Sequence, residues 1–199
     1  MIPFFGQKPL AAGSVLTAST YFIGPTIGTN NGQITWAARV RLPMPGSTMT
    51  LFGMPGIQFR LEYLPNGDLR LNLKDNANAT LINSATAGTV PYDTWTDVVA
   101  SVDLAAGYAK SWIDGVAAHD LTFSSVPGTF QTSRVFNFLT LSTSGAVGTP
   151  PAIEFEHLSL WKDIATATGA LPGAAPTKRI APPAAAVNGD GWKLGGDVT

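Results

Sequence analysis

The chain has 199 residues, 45% of them apolar and only 13% charged, and its 12 basic and 13 acidic side chains leave a net charge of −1. That length and apolar content suit one domain with a full core, and the thin, balanced charge excludes the basic stripe that tracks nucleic-acid phosphates. Cysteine is absent, which excludes disulfides, thiol catalysis and thiolate-bound metals.

Residues 1–14 read as an irregular N-terminal arm, broken by Pro3, Gly6, Pro9 and Gly13. The opening Met1-Ile2-Pro3-Phe4-Phe5-Gly6 lacks the basic n-region of a secretion signal. No run approaches the ~20 apolar residues of a membrane span. The expectation is a chain made in the bacterial cytoplasm without a signal peptide and not inserted in a membrane. Residues 15–23 form a first strand. After a glycine-rich loop, Ile34, Trp36, Ala38, Val40 and Leu42 alternate with Thr35, Ala37, Arg39 and Arg41, the pattern of a half-buried strand. A short strand over residues 48–52 follows.

Next comes a hairpin whose register can be derived. Ile57, Phe59, Leu61 and Tyr63 share one face, as do Leu69, Leu71 and Leu73 on the return. A two-residue Asn66-Gly67 loop would set Tyr63 opposite Arg70. Including Pro65 sets Tyr63 opposite Leu69, Leu61 opposite Leu71 and Phe59 opposite Leu73, and directly opposed residues must share a face. Pro65 presets a type I turn and Gly67 takes the left-handed bulge position. On the polar face Glu62 then stands across from Arg70, expected as an exposed pair worth under ~1 kcal/mol.

Residues 75–89, rich in Asn, Ala and Thr, read as loop with one short strand at residues 80–83. Then Trp95-Thr96-Asp97-Val98-Val99-Ala100-Ser101-Val102-Asp103 alternates as a strand, and after Gly107 a second runs through Tyr108-Ala109-Lys110-Ser111-Trp112-Ile113. Asp114-Gly115 suits the positive φ of a tight hairpin turn, and residues 116–123 return. A further strand spans residues 135–142. The last, Ile153-Glu154-Phe155-Glu156-His157-Leu158-Ser159-Leu160-Trp161, slips phase once, which predicts a β-bulge at Glu156-His157. Beyond Ile164 the composition turns to Ala, Pro, Gly and Thr, an extended tail. Trp192 and Leu194 in that tail should dock on this domain or on a neighbour.

The aromatic start at Trp95, the Asp after the strand and the Trp112-Ile113-Asp114-Gly115 end resemble the central signature of laminin-G-like domains of the concanavalin A-like lectin/glucanase group. The resemblance implies an all-β jelly-roll sandwich of two antiparallel sheets. The organisation is then an arm at 1–14, the domain at 15–165 and a Pro/Ala-rich tail at 166–199. The fold hosts lectins, glycosidases and structural modules alike.

Glu154 and Glu156 stand roughly 6.5–7 Å apart along a strand, near the ~6.5–9.5 Å of inverting glycosidases. The acid triad of the glucanases is incomplete, because Ser159 stands where its third acid would be and no Asp lies between the two. We read the pair as structural, with catalysis as the alternative. His119, beside Asp120, is expected to be solvated, and His157 to be a structural or edge residue. No Gly-x-Ser-x-Gly elbow, nucleotide fingerprint or His-x-x-x-His pair occurs. No catalytic or metal residue is assigned. Cofactors are expected to be none, with calcium at Asp75, Asn76, Asn78 and Asp103 the weaker option that the resemblance raises. Asp and Asn are also ordinary turn residues. Trp36, Trp95, Trp112 and Trp161 read as core. Carbohydrate-binding residues are unknown, with Tyr92, Tyr108, Asn30 and Asn31 as candidates from the rim.

A typical domain carries roughly 25% charged residues, so this surface relies on hydroxyls and amides. That points to an assembly component covered by partners, a monomer with a hydroxyl- and amide-rich surface being the alternative. Together with the resemblance and the tails, it gives the functional expectation: a non-enzymatic component of a bacteriophage or phage-like particle. The protein would sit on a tail, fibre, baseplate or capsid surface in many copies. It would dock on other virion proteins through its arm and tail and contact host surface carbohydrate. A glucanase-type enzyme and a free lectin are the rivals.

Overall fold

A computed structural model describes residues 14–16, 21–26, 29, 31–53, 59–75, 77–126, 128–130, 135–141, 153–180 and 193–195. The expected arm up to residue 13, and Ile57, Asn30, Asn76 and Trp192, lie outside them. The strands are β1 (Ser14–Leu16), β2 (Tyr21–Thr26), β3 (Gln33–Arg41), β4 (Met49–Gly53), β5 (Phe59–Tyr63), β6 (Asp68–Lys74), β7 (Thr80–Thr89), β8 (Trp95–Asp103), β9 (Tyr108–Ile113), β10 (Val116–Thr122), β11 (Val135–Leu141), β12 (Ile153–Lys162), β13 (Lys178–Ile180) and β14 (Lys193–Gly195). They form two antiparallel sheets. The first runs β1-β12-β3-β8-β9-β10 with β13 also on β12, and the second runs β14-β2-β11-β4-β5-β6-β7. This is the all-β jelly-roll sandwich expected from the sequence.

The derived hairpin register holds at each pair, from Tyr63 opposite Leu69 to Phe59 opposite Leu73. Its turn closes through the Gly67 amide donating to Leu64 O, with Gly67 at φ +87°. The turn after β9 places Asp114 and Gly115 at φ +49° and +80°. The expected bulge in β12 falls between Phe155 and His157.

Two element readings need correction. The expected first strand over residues 15–23 is two strands in different sheets, β1 on β12 and β2 on β11. Alternation reports a strand and cannot report a change of sheet. The expected loop with a four-residue strand at 80–83 is the ten-residue β7. It is an edge strand paired on one side to β6, so it needs few apolar residues, and Ser, Thr, Ala and Gly suffice.

Between the sheets, the inward faces of β3, β4, β5, β6 and β8 bury Ile34, Trp36, Phe52, Phe59, Leu71 and Val102 completely or nearly so. Trp36 stacks on Phe52 across the sandwich at 5.1 Å, and Phe52 meets Phe59 edge-on at 5.4 Å. Such pairs add to the burial of two large rings. A smaller cluster of Ala37, Val99, Trp112 and Trp161 lies on the outer face of the first sheet, beneath Ile164 and Leu171. A strap over residues 164–174 covers it. Thr35 Oγ1 donates to Ile164 O, the Thr166 amide donates to Ser101 Oγ, and the Trp161 indole donates to Ala174 O. The chain then returns to the sheets as β13 on β12 and β14 on β2, Leu194 pairing with Phe22.

Candidate functional site

The acid pair on β12 stands over a line of charges on the outer face of the first sheet. Glu154 pairs with Arg41 at 3.2 Å, and Glu156, set beside Arg39 by the bulge, pairs with its Nε at 3.1 Å. Arg39 also holds Asp97 at 3.2 Å. Burial pushes the Asp97 carboxyl up to about 6, with Arg39 opposing the rise and Asp114 and Glu156 adding to it. The Asp97 amide donates to Asp114 Oδ1 at 2.8 Å, which ties the β9–β10 turn to β8.

His119 is not solvated. It is 2% exposed, its Nε2 lies 3.0 Å from Ala85 O and its Nδ1 2.7 Å from Ser111 Oγ. A carbonyl only accepts, so Nε2 carries the proton and Nδ1 accepts from the Ser111 hydroxyl. Burial pushes its pKa down. The ring bridges β10 and β7, where the edges of the two sheets meet, and the partner on β7 is invisible to local pattern. His157 is buried opposite Arg39.

The candidate calcium ligands divide between the turn of Asp75 and Asn78 and the end of β8 at Asp103. Asp75 Oδ1 accepts from the Ala79 amide, and Asn78 takes φ +65° in the same turn. Asp103 is buried, accepting from Gln33 Nε2 at 2.6 Å and from the Ala106 amide at 2.8 Å. Among the described residues no three His, Asp or Glu side chains gather as a metal group. The rim candidates are similarly engaged. Tyr92 donates to Pro65 O at 2.9 Å, Tyr108 lies under Lys110 Nζ at 5.5 Å, and Asn31 binds Gln33 and Asp163. Trp36 lies in the core, Trp112 and Trp161 lie under the strap, and Trp95 is half-buried.

The sequence reading missed the most concentrated polar site, on the outer face of the second sheet. Glu62 is 0% exposed. Its Oε1 lies 2.9 Å from Arg60 Nε, and its Oε2 lies 2.6 Å from Arg70 Nε and 3.1 Å from Asn72 Nδ2. The expected exposed pair is therefore a buried carboxylate clasped by two arginines. The signal was present in the register: Arg60 is two residues from Glu62 on the same face, and Arg70 and Asn72 stand opposite Glu62 and Arg60. Three charges on one face make a cluster rather than a single pair.

Both flanks of this cluster are irregular. The β4–β5 register shifts between Thr50 and Phe52, beside Glu62, and the β6–β7 register shifts between Leu71 and Leu73, beside Asn72. In the second bulge Ser84 takes φ +53°, and both its amide and its hydroxyl donate to Asn72 Oδ1 at 3.0 and 3.2 Å.

Among curated proteins, none is detectably similar in sequence to the chain. Solved structures share the fold. The heptameric SAP-like pentraxin of Limulus polyphemus aligns over 90% of this chain and 95% of its own at 13% identity, with a TM-score of 0.54. A botulinum neurotoxin serotype D ligand binding domain, solved with N-acetylneuraminic acid, aligns over 80% of this chain and 41% of that one at 10% identity and TM-score 0.56. Trypanosoma rangeli sialidase aligns over 69% of this chain and 21% of its own at 18% identity and TM-score 0.51. Residues 16–149 match the family model Laminin_G_3, described as the concanavalin A-like lectin/glucanases superfamily. A match over that much of the chain, on an antiparallel sandwich of this topology, shows that the protein belongs to the concanavalin A-like lectin/glucanases superfamily.

Proposed function

We propose that the chain is a non-enzymatic module that contacts surface glycans, carried on a phage or phage-like particle as a tail, fibre, baseplate or capsid-surface component. The observation that carries the non-enzymatic part is the state of its acid pair. Each of Glu154 and Glu156 is held by an arginine at 3.1–3.2 Å, whereas a glycosidase needs one carboxyl free to protonate the leaving oxygen. Fold neighbours, a SAP-like pentraxin and a neurotoxin ligand binding domain in complex with N-acetylneuraminic acid, support glycan contact. The low charged fraction of 13% supports a surface that partners cover in an assembly.

A glycan array with the monomeric domain, run beside a reducing-sugar assay, tests the reading. Binding without sugar release is the expected result, and release would overturn it. Mass spectrometry of purified particles from the source tests the particle role, with this chain expected in many copies. The enzyme is the second reading, favoured by the sialidase among the fold neighbours, and Asp97, which shares Arg39 with Glu156, is the carboxyl it would draw on. Hydrolysis abolished by Asp97→Asn would decide for it.

A further inference from the structure

We propose that the outer face of the second sheet, at Arg60 and Arg70, binds the carboxylate of an acidic saccharide. The proposal rests on the glycan-binding reading above and assigns it a site and a ligand class.

Glu62 lies on the solvent side of β5, yet its side chain is 1% exposed, while those of Arg60 and Arg70 are 26% and 31% exposed. The arginines therefore lie over the carboxylate and still reach water. Each meets Glu62 through Nε. A guanidinium carries five donors in a planar fork that matches a carboxylate. Glu62 thus acts as an internal strut that holds two forks in place before any ligand arrives, which lowers the ordering penalty of binding. Two positive charges against one negative leave the cluster one positive charge in excess, which an incoming anion neutralises.

The backbone around the cluster has the features that recur at binding sites. Bulges flank it on β4 and β7, and Ser84 holds a left-handed φ of +53° tied to Asn72. Such strain persists only where the surroundings enforce it. The chemistry of the face favours a sugar over an acidic peptide. Asn72, Ser84 and Thr86 extend the cluster with amide and hydroxyl groups. The exposed large apolar side chains among the described residues, Met44 and Val116, lie in the β3–β4 connection and on β10. A peptide partner draws most of its affinity from such apolar anchors.

The test is calorimetric titration of the full chain with oligogalacturonate and with oligosialic acid, each against its carboxyl-reduced counterpart. Binding to at least one acidic probe is expected to be roughly tenfold or more tighter than to its reduced form, the range of a charge-assisted hydrogen-bond pair. The triple variant Arg60→Gln, Glu62→Gln, Arg70→Gln keeps amide partners without charge and should abolish that preference while remaining folded by circular dichroism. Arg70→Lys, which keeps the ion pair with Glu62 and loses the fork, should weaken acidic binding by about tenfold. It serves if the triple variant does not fold. Equal affinity for acidic and reduced probes, or acidic binding left unchanged by Arg70→Lys, overturns the site. Equally tight binding of a sulfated, carboxyl-free oligosaccharide overturns the carboxylate assignment, and equally tight binding of oligoglutamate overturns the saccharide. If the array detects only neutral glycans, the site fails and the glycan reading stands. If no glycan binds, both fail.

Discussion

Glu62 shows how far a residue's environment can depart from its position in the strand pattern. A lone exposed carboxylate opposite an arginine contributes little, but a buried one with two arginines makes its partners indispensable. Removing Arg70 alone leaves Arg60 and Asn72 on the carboxylate. Removing both arginines takes away its charged partners and leaves it with only an amide, at a loss of up to about 3–5 kcal/mol, reduced to the extent that water reaches the uncovered carboxylate. Urea melts of the Arg60→Ala, Arg70→Ala double variant should show that loss, and adding Glu62→Gln should recover most of it. A loss that Glu62→Gln does not recover would mean that the arginines stabilise by packing. Tyr63 makes the opposite case. Its ring is 0% exposed and edge-on to Tyr92 at 6.4 Å, but its buried hydroxyl has no hydrogen-bond partner among the described residues. Burial pushes its pKa up, with Tyr92 and Asp93 adding to the rise. Tyr63→Phe removes only the unpaired group, so the thermal midpoint should stay level or rise; a clear fall would reveal a partner for the hydroxyl.

Among the elements, those fixed by alternation or by turn chemistry were legible in the sequence. The hairpin register followed from requiring Tyr63 and Leu69 to share a face, and the β12 bulge from a one-residue phase slip between Phe155 and Leu158. Elements fixed by distant partners were not legible. β7 carries little apolar signal because it is an edge, and the strap has no period because its contacts are made one residue at a time. The same distance rule hid the candidate site, since Glu62 and His119 are buried by side chains from other strands. The strap offers a direct check at this scale. Gly169 sits at φ +76°, and a Cβ there would stand 2.7 Å from the Trp112 ring. Gly169→Ala must lift the strap or move the indole, losing roughly 1–3 kcal/mol. Hydrogen exchange should rise across residues 164–174 while the β5–β6 hairpin stays protected. Uniform change across both sheets would instead make the strap part of the global fold.

For the molecule as a whole, a buried histidine and a half-buried carboxyl set opposing dependences on pH. His119 has a folded pKa below its ordinary 6.5, so the unfolded chain binds the extra proton first as pH falls. Its contribution is complete above about 6.5 and is lost as pH drops toward the folded value. Asp97 runs the other way. Raised from 3.8 to about 6, it holds a proton in the folded chain that the unfolded chain has already released, so its contribution is present below 3.8 and lost as pH rises through about 6. The surroundings of Asp97 explain the sign: burial disfavours its charged form most, Asp114 and Glu156 repel that form, and the single Arg39 does not compensate. Asp97→Asn keeps the uncharged form at every pH. It should therefore be more stable than the wild-type chain at pH 8, draw level near pH 4, and lose stability more steeply between pH 7 and 5, where His119 then acts alone. Urea midpoints measured across that range in both proteins read this difference directly. If the two curves stay parallel, Asp97 ionises in the folded chain as it does in water, and the charge line on the first sheet is already balanced by its arginines.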